Sequence, residues 1–226
     1  MTRLICGAKK NHRIQRDHLP KQRLMDELVK QSLTKWPNVP HCYGWLALDA
    51  RGAFRMRDEA AQATNQPGDI IRHESLLAFI YRNYDCDTRG AWYFQNGPQR
   101  VYVELETTPF IARTDPELGF VLHDRTPVRE IEFVFMTDAG QLIIQSQHKI
   151  AMLDPSDLAH CLAMLYVVDH AIADDDLLTW LSAPNQPLQI KLGQQFIRVD
   201  WVASNQLENR FGFIAHPSKL ARTSQP

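Results

Sequence analysis

Four short segments of this chain share one pattern, in which apolar and polar residues alternate on both sides of a turn that contains glycine. Alternation with a period of two places the apolar side chains on one face of a β-strand, and a glycine between two such runs marks a hairpin turn. We therefore expect four antiparallel hairpins. They are GWLALDARGAFRM at 44–56, AWYFQNGPQRVYVELE at 91–106, EIEFVFMTDAGQLIIQSQ at 130–147 and LQIKLGQQFIRVDWV at 188–202.

Helical spacing of apolar residues appears before the first hairpin and between the later ones. The segments are 20–34, RHESLLAFIYRNY at 72–84, LDPSDLAHCLAMLYVVDH at 153–170 and DDDLLTWLSA at 174–183. The segment NRFGFIAH at 209–216 predicts a last strand. This order predicts an α+β fold of two similar hairpin–helix–hairpin units with mostly antiparallel sheets, preceded by an N-terminal helix.

The two closing hairpins superimpose with an offset of 96 residues. Gly97 then meets Gly193, and Glu104 meets Asp200. Together with the order of elements, this agreement favours an internal duplication, although any two hairpins share alternation and a turn glycine. We expect a basic arm and helix at 1–40, a first α+β unit at 41–115, a second unit at 116–216 and a disordered tail at 217–226.

Charge is unevenly distributed along the 226 residues, although the net charge is only −1. Residues 1–35 carry nine Lys or Arg against three acidic residues, whereas 150–190 contain six Asp and no Lys or Arg. A basic arm could contact phosphate or an acidic partner, including the acidic segment of a neighbouring copy in a homo-oligomer. The near-neutral total disfavours nucleic acid as the main partner.

Other features of the sequence predict a cytoplasmic location. No run of about 18 apolar residues predicts a membrane span, and the N-terminal sequence lacks the apolar core of a signal peptide. The four cysteines are scattered without a C-x-x-C pair, which favours free thiols in a reducing compartment. No two ligand pairs have zinc-site spacing, and phosphate-binding and dinucleotide-binding glycine patterns are missing, so we expect no metal and no cofactor.

Several segments resemble a known group of proteins. They are the G-x-L-x-L-D-x-x-G pattern at Gly44–Gly52, Leu76-Leu77-x-Phe79, V-Y-V-E-L-E at 101–106, Thr108-Pro109-Phe110 and Thr137-x-x-Gly140. The layout over residues 43–200 is similar to small bacterial α+β proteins of unknown function with repeated units, for which signalling or ligand binding has been suggested. QNGPQRVYVELE itself resembles the hallmark of a related proteobacterial family, also uncharacterised. The resemblance departs at the basic N-terminal helix and implies no catalytic residues.

The hairpin strand 99–106 offers the strongest candidate site. Alternation places Arg100, Tyr102, Glu104 and Glu106 on one face. Arginine could bind an anion, tyrosine could stack, and the two carboxylates, about 7 Å apart, could hold a cation or act as an acid–base pair. The alternative is a hairpin whose polar face is solvated. If the duplication holds, Arg198 and Asp200 occupy the matching positions of the second unit, and a groove could form between units.

These features favour a non-catalytic regulatory or signalling protein that binds a small ligand or a protein partner through Arg100, Tyr102, Glu104 and Glu106. One alternative is a small hydrolase-type enzyme that uses Glu104 and Glu106, although no nucleophile motif accompanies them. A further alternative is contact with nucleic acid through the basic arm.

Overall fold

The structure is a computed structural model that describes residues 26–36, 38–167, 170–184 and 186–219. The basic arm over 1–25, the first part of the predicted 20–34 helix and residues 220–226 of the predicted tail lie outside these ranges. Among the described residues, no helix combines the length and the apolar character that crossing a membrane requires.

Six strands from the first half of the chain form one sheet: β1 (Cys42–Leu48), β2 (Phe54–Met56), β3 (Asp69–Ile70), β4 (Tyr84–Cys86), β5 (Trp92–Asn96) and β6 (Gln99–Leu105). Their order is β3-β2-β1-β6-β5-β4. The predicted hairpins β1–β2 and β5–β6 are both confirmed as antiparallel pairs. The central pair, β1 with β6, is parallel and brings the two hairpins side by side.

A second sheet contains nine strands from the rest of the described chain: β7 (Phe110–Asp115), β8 (Gly119–Leu122), β9 (Phe133–Thr137), β10 (Leu142–Ser146), β11 (Lys149–Leu153), β12 (Leu165–Val167), β13 (His170–Ala171), β14 (Leu188–Leu192) and β15 (Gln195–Val202). Their order is β13-β12-β14-β15-β9-β10-β11-β7-β8. The predicted hairpins β9–β10 and β14–β15 are confirmed. Pairings in both sheets are mostly antiparallel, with parallel contacts at β1–β6, β7–β11 and β9–β15.

The two sheets share a strand order over part of their width. The first contains β2-β1-β6-β5-β4 and the second β10-β9-β15-β14-β12. In each of these orders the second strand-to-strand contact is the parallel one, β1–β6 and β9–β15 respectively. Their closing hairpins pair Asn96 with Gln99 and Leu192 with Gln195, positions that are 96 residues apart. The prediction assigns residues 110–115 to the first unit. In the structure they form β7, which pairs with β11 in the nine-stranded sheet.

Short helices connect the strands: α1 (Glu27–Lys35), α2 (Glu59–Ala63), α3 (Glu74–Arg82), α4 (Leu158–Leu162), α5 (Asp174–Ser182) and α6 (Leu207–Phe211). Local capping fixes two of their starts. The Asp58 carboxylate accepts the Ala61 N–H at 2.8 Å before α2, and Nδ1 of His73 accepts the Leu76 N–H at 3.3 Å before α3.

One continuous cluster of buried side chains joins both sheets. Leu46, Leu48 and Val103 come from the six-stranded sheet, and Ile111 and Met136 from the other. Side chains that alternate with the first three must point away from this core. The outer face of the six-stranded sheet is therefore the place to look for β6's polar residues.

One predicted helix is confirmed only in its first part, and one predicted strand is wrong. The helix expected over 153–170 begins with a 3-10 turn at Pro155–Asp157 and ends at Leu162, after which β12 pairs with β14. Leu165 and Val167 are buried on one side of that strand, so sheet pairing outweighs the helical spacing. The last strand expected over 209–216 is instead α6, ended by Gly212 at a φ of +70°, followed by an isolated bridge from Ile214 to Ala91.

Candidate ligand groove

A row of three side chains crosses the outer face of the six-stranded sheet. Ala47 on β1 pairs with Arg55 on β2 and with Glu104 on β6. Since neighbouring strands lie about 4.8 Å apart, the backbones of the arginine and the glutamate are separated by about 10 Å. Ala47 contributes only a methyl group between two long polar side chains. The row therefore forms a groove with a low floor and a polar wall on each side.

The Arg55 wall is fixed by the turn between β1 and β2. One oxygen of Asp49 accepts the N–H groups of Arg51 and Ala53 at 3.0 and 2.8 Å, and the other accepts Nε of Arg55 at 2.7 Å. Nη1 of Arg55 also donates to the Gly68 carbonyl at 3.0 Å. The guanidinium is thus held on two sides by the protein, and Asp49 is a structural partner as well as a lining residue.

The Glu104 wall is formed with the C-terminal segment 212–219. Glu104 is only 7% exposed, and its Oε1 accepts the Ser218 N–H at 3.0 Å, while Oε2 lies 3.3 Å from Nδ1 of His216. The Leu105 N–H donates to the Ala215 carbonyl at 2.8 Å. A buried carboxylate therefore adds two side-chain contacts to the backbone hydrogen bond that holds this segment on the sheet.

A close backbone approach lets that segment reach the sheet. The Ile214 N–H donates to the Gly90 carbonyl at 3.0 Å. Gly90 has a φ of +91°, and a Cβ added there would lie 2.1 Å from the Gly212 carbonyl oxygen. Only glycine tolerates both the backbone conformation and this approach.

The third side of the groove comes from α2 and the loop after it. Arg57 donates through Nε to the Gln66 carbonyl at 3.0 Å and through Nη2 to Oδ1 of Asn65 at 3.3 Å. Gln62 donates from Nε2 to the Arg57 carbonyl at 3.1 Å. A Cβ at Gly44 would lie 2.7 Å from Oε1 of Gln62, so glycine in β1 lets this amide pack against the strand. Hydrogen bonds again hold the wall in place.

Together these walls enclose a groove of about 640 Å³, within the range of about 300–1,000 Å³ that small-molecule sites occupy. Glu106 also lines it, with Oε2 accepting the Ala50 N–H at 3.0 Å. Among the described residues, the lining carboxylates are those of Asp49, Glu104 and Glu106, and the lining cations are Arg55, Arg57 and Lys219. Charges of both signs are therefore present in equal number beside His216.

An aromatic stack contributes to the lining of the groove. Tyr43 lines the groove and stacks on Tyr102, with ring centroids 4.6 Å apart and planes 3° from parallel. Tyr102 is 1% exposed, and its hydroxyl donates to Oδ2 of Asp87 at 3.1 Å. Burial raises the pKa of Tyr102 above its ordinary value. Tyr102 thus supports a lining residue instead of lining the groove itself.

Arg100 also lies in this aromatic cluster and not in the groove. Its guanidinium carbon is 4.4 Å from the centroid of the Tyr93 ring, a cation–π geometry. Tyr93 is itself buried, and burial raises its pKa to about 12. The four residues proposed on the segment 99–106 therefore divide into two neighbouring pairs. Glu104 and Glu106 line the groove, and Arg100 and Tyr102 form part of the aromatic cluster beside it.

The matching residues of the second half are placed elsewhere. Arg198 and Asp200 lie on β15 of the nine-stranded sheet and form an ion pair at 2.8 Å, with side chains 76% and 38% exposed. Neither lines the groove. The structure does not bring them together with Glu104 and Glu106.

Several lining residues were absent from the sequence prediction, namely Tyr43, Asp49, Arg55, Gln62 and His216. Arg55 could have been found, because it occupies the outward position of its own hairpin, one residue after Phe54. His216 could not, since it reaches Glu104 from 112 positions away through a segment predicted as a strand.

A metal centre has no support in the part of the chain that the structure describes. There, no three His, Cys, Asp or Glu side chains come close enough to hold an ion. Burial also raises the pKa of the Cys86 thiol, between Asp85 and Asp87, to about 11.

Comparison with solved structures finds a DUF1285 family protein from Silicibacter pomeroyi DSS-3, determined by crystallography at 2.50 Å. It is 10% identical, the match covers 76% of this chain and 87% of that one, and the TM-score is 0.44. So low a likeness is not evidence for a shared site. A search of curated proteins finds no match.

A protein-family model matches residues 25–218, which include both sheets and every residue of the groove except the last, Lys219. The family is described as a protein of unknown function (DUF2946). The match extends over well more than half of the 226 residues. The chain therefore belongs to this family of unknown function.

Proposed function

We propose that this protein is a non-catalytic binding module of regulatory or signalling type, acting in the cytoplasm, and that a small ligand occupies the groove over Ala47. The observation that carries the proposal is that the groove's polar walls are already fixed by the protein. Arg55 is held by Asp49, and Glu104 is held by Ser218. A site whose side chains are ordered before binding loses less conformational entropy when a ligand arrives.

The hydrogen bonds also favour binding over turnover. Glu104 and Glu106, the two carboxylates of the hydrolase-type alternative, each accept a backbone N–H, from Ser218 and Ala50 respectively. Each bond already uses one acceptor position of a carboxylate and holds it against the backbone, which leaves fewer positions for exchanging a proton with a substrate. The hydrolase-type alternative stays a prediction.

The shared strand order supports a repeated plan with one functional copy. We propose that both sheets derive from one unit and that the first alone keeps the groove. In the second, Phe135 holds the position next to Asp200 that Ala47 holds next to Glu104. The Phe135 ring contacts the Phe211 ring of α6, with centroids 5.1 Å apart. An aromatic side chain thus fills the place that a methyl group leaves open in the first sheet.

The test is a thermal-shift screen with a metabolite library on the native protein and on Ala47→Val. Valine suits a β-strand but places two more carbons on the groove floor. The matched control is Ala171→Val, the same change at an exposed position of β13 in the other sheet. We expect a compound at 100 times its Kd to stabilise the native and control proteins by about 2.7 kcal/mol, and Ala47→Val by much less. Equal stabilisation of all three would contradict the proposed site.

A further inference from the structure

We infer that the ligand of this groove is an uncharged molecule rich in hydroxyl groups, of the saccharide or polyol class. The inference rests on the proposed function and adds the chemical class of the ligand. Three properties of the groove point to it: its balanced charge, the internal pairing of its charged groups and the tyrosine ring in its lining.

The balance of charge argues against an ionic ligand. The lining carboxylates of Asp49, Glu104 and Glu106 are matched by Arg55, Arg57 and Lys219 within the described residues. A phosphate or carboxylate entering the groove would meet the two glutamates, and a cation would meet the two arginines. Neither sign of charge gains a net attraction.

The pairing of the charged groups with each other and with the backbone also disfavours an ionic ligand. Asp49 occupies the Nε edge of Arg55 at 2.7 Å, so the bidentate grip that arginine offers to an anion is already used. Glu104 likewise accepts from Ser218 at 3.0 Å. An ionic ligand would have to displace these partners or leave a charge poorly compensated, and losing one partner of a buried charge is costly.

A hydroxyl group fits the hydrogen-bonding positions that these internal partners leave available. An ionised carboxylate has about four acceptor sites, and Glu106 shows one bond, from the Ala50 N–H. The amide side chains of Gln62 and Gln66 also line the groove. A hydroxyl both donates and accepts, so one molecule with several hydroxyls can donate to the carboxylates and accept from amide or guanidinium N–H groups.

Tyr43 supplies the apolar contact that such a ligand needs. Its ring is supported by Tyr102 at 4.6 Å in a nearly parallel stack, and Tyr43 itself lines the groove. The groove lining therefore includes an aromatic side chain, and aromatic rings pack against the C–H groups of a sugar ring. Tyrosine provides such area at a low cost in conformational entropy.

The experiment is titration calorimetry with three glucose-derived probes that differ in charge: cellobiose, a uronic-acid disaccharide and a glucosamine disaccharide. Each probe is titrated into the native protein, into the variants Ala47→Val, Tyr43→Ala and Tyr43→Phe, and into the control Ala171→Val. We expect cellobiose to bind at least about tenfold more tightly than either charged probe. Binding should change less than twofold between about 0.05 and 0.5 M salt, because a neutral ligand has no screened attraction to lose.

The variants separate the two proposals. Loss of about tenfold in affinity for Ala47→Val and Tyr43→Ala, with Tyr43→Phe and Ala171→Val close to native, supports both the groove and the ligand class. Tighter binding of a charged probe, lost in Ala47→Val, overturns the ligand class and leaves the groove supported. Binding that Ala47→Val does not weaken overturns both. No binding of any probe at millimolar concentration overturns the ligand class, and the thermal-shift screen then decides on the groove.

Discussion

Glu104 should be the residue on which the C-terminal segment depends, and replacing it gives the most informative stability prediction. The Ser218 N–H at 3.0 Å is a hydrogen bond to an ionised acceptor, a class that contributes about 1.5–3 kcal/mol. The contact with half-exposed His216 at 3.3 Å adds about 0–1 kcal/mol. We expect Glu104→Ala to lower the free energy of unfolding by about 2–3 kcal/mol.

The conservative replacement separates charge from geometry. Glu104→Gln keeps an oxygen that can accept from Ser218, so it should cost only about 1 kcal/mol. Glu106→Ala is the matched control on the same face of the strand, because Glu106 is exposed and accepts one N–H. Its expected cost is about 0.5–1 kcal/mol.

Two assays test this order of effects. Thermal unfolding should show a melting temperature roughly 4–12 °C lower for Glu104→Ala, given about 2–4 °C per kcal/mol for a chain of this size. Native-state hydrogen exchange should show the Ser218 amide exchanging faster in this variant than in Glu106→Ala. Unchanged exchange at Ser218, or equal stability of Glu104→Ala and Glu106→Ala, would refute the anchoring role.

Four further predictions follow from local geometry. Burial of Asp87 is outweighed by hydrogen bonds from Arg89, Ala91 and Tyr102, which lower the pKa of its carboxyl below 3.8 in the folded protein. The ionised carboxylate therefore stabilises the fold fully above pH 3.8, and this contribution is lost as the pH falls through the lower pKa of the folded state. Urea unfolding should find Asp87→Asn about 1–3 kcal/mol less stable than the native protein at pH 7, with the difference shrinking below pH 3.8. Burial raises the pKa of Cys86 from 9.0 to about 11, so mass spectrometry should find its alkylation at pH 8 about 100-fold slower in the native than in the unfolded protein; equal rates would contradict this. Gly90→Ala should cost more than about 2 kcal/mol in chemical denaturation, because its Cβ would meet a backbone oxygen at 2.1 Å. Arg198→Ala, which breaks an exposed pair, should cost less than about 0.5 kcal/mol in the same assay.

The hairpins were predictable because each depends on short-range information. Alternation and a turn residue specify β5 and β6 from residues 91–106 alone, and the structure has both strands there. The parallel pairing of β1 with β6 joins segments more than fifty residues apart, and no local pattern specifies it. Another non-local pairing, the antiparallel one with β14, makes residues 165–167 strand β12 where a helix was predicted.

The candidate site was predictable to the same extent. Strand periodicity placed Glu104 and Glu106 on one polar face with Arg100 and Tyr102. Periodicity gives the face of a strand, but it does not say which neighbours cover that face. The stacked rings of Tyr43 and Tyr102 cover the half of this face near Arg100. The groove opens over the half with Glu104, where β1 presents only the methyl group of Ala47. His216 enters from a segment whose path depends on tertiary contacts at Gly90.

A ligand site in the groove over Ala47 is tested most directly by an NMR titration of the native protein with a compound that the thermal-shift screen selects. Amide signals of Ala47, Glu104 and Ser218 should shift together in a saturable way, while those of Arg198 and Asp200 on the other sheet stay unchanged. Shifts confined to the second sheet, or spread evenly over both, would contradict a ligand site in the groove over Ala47.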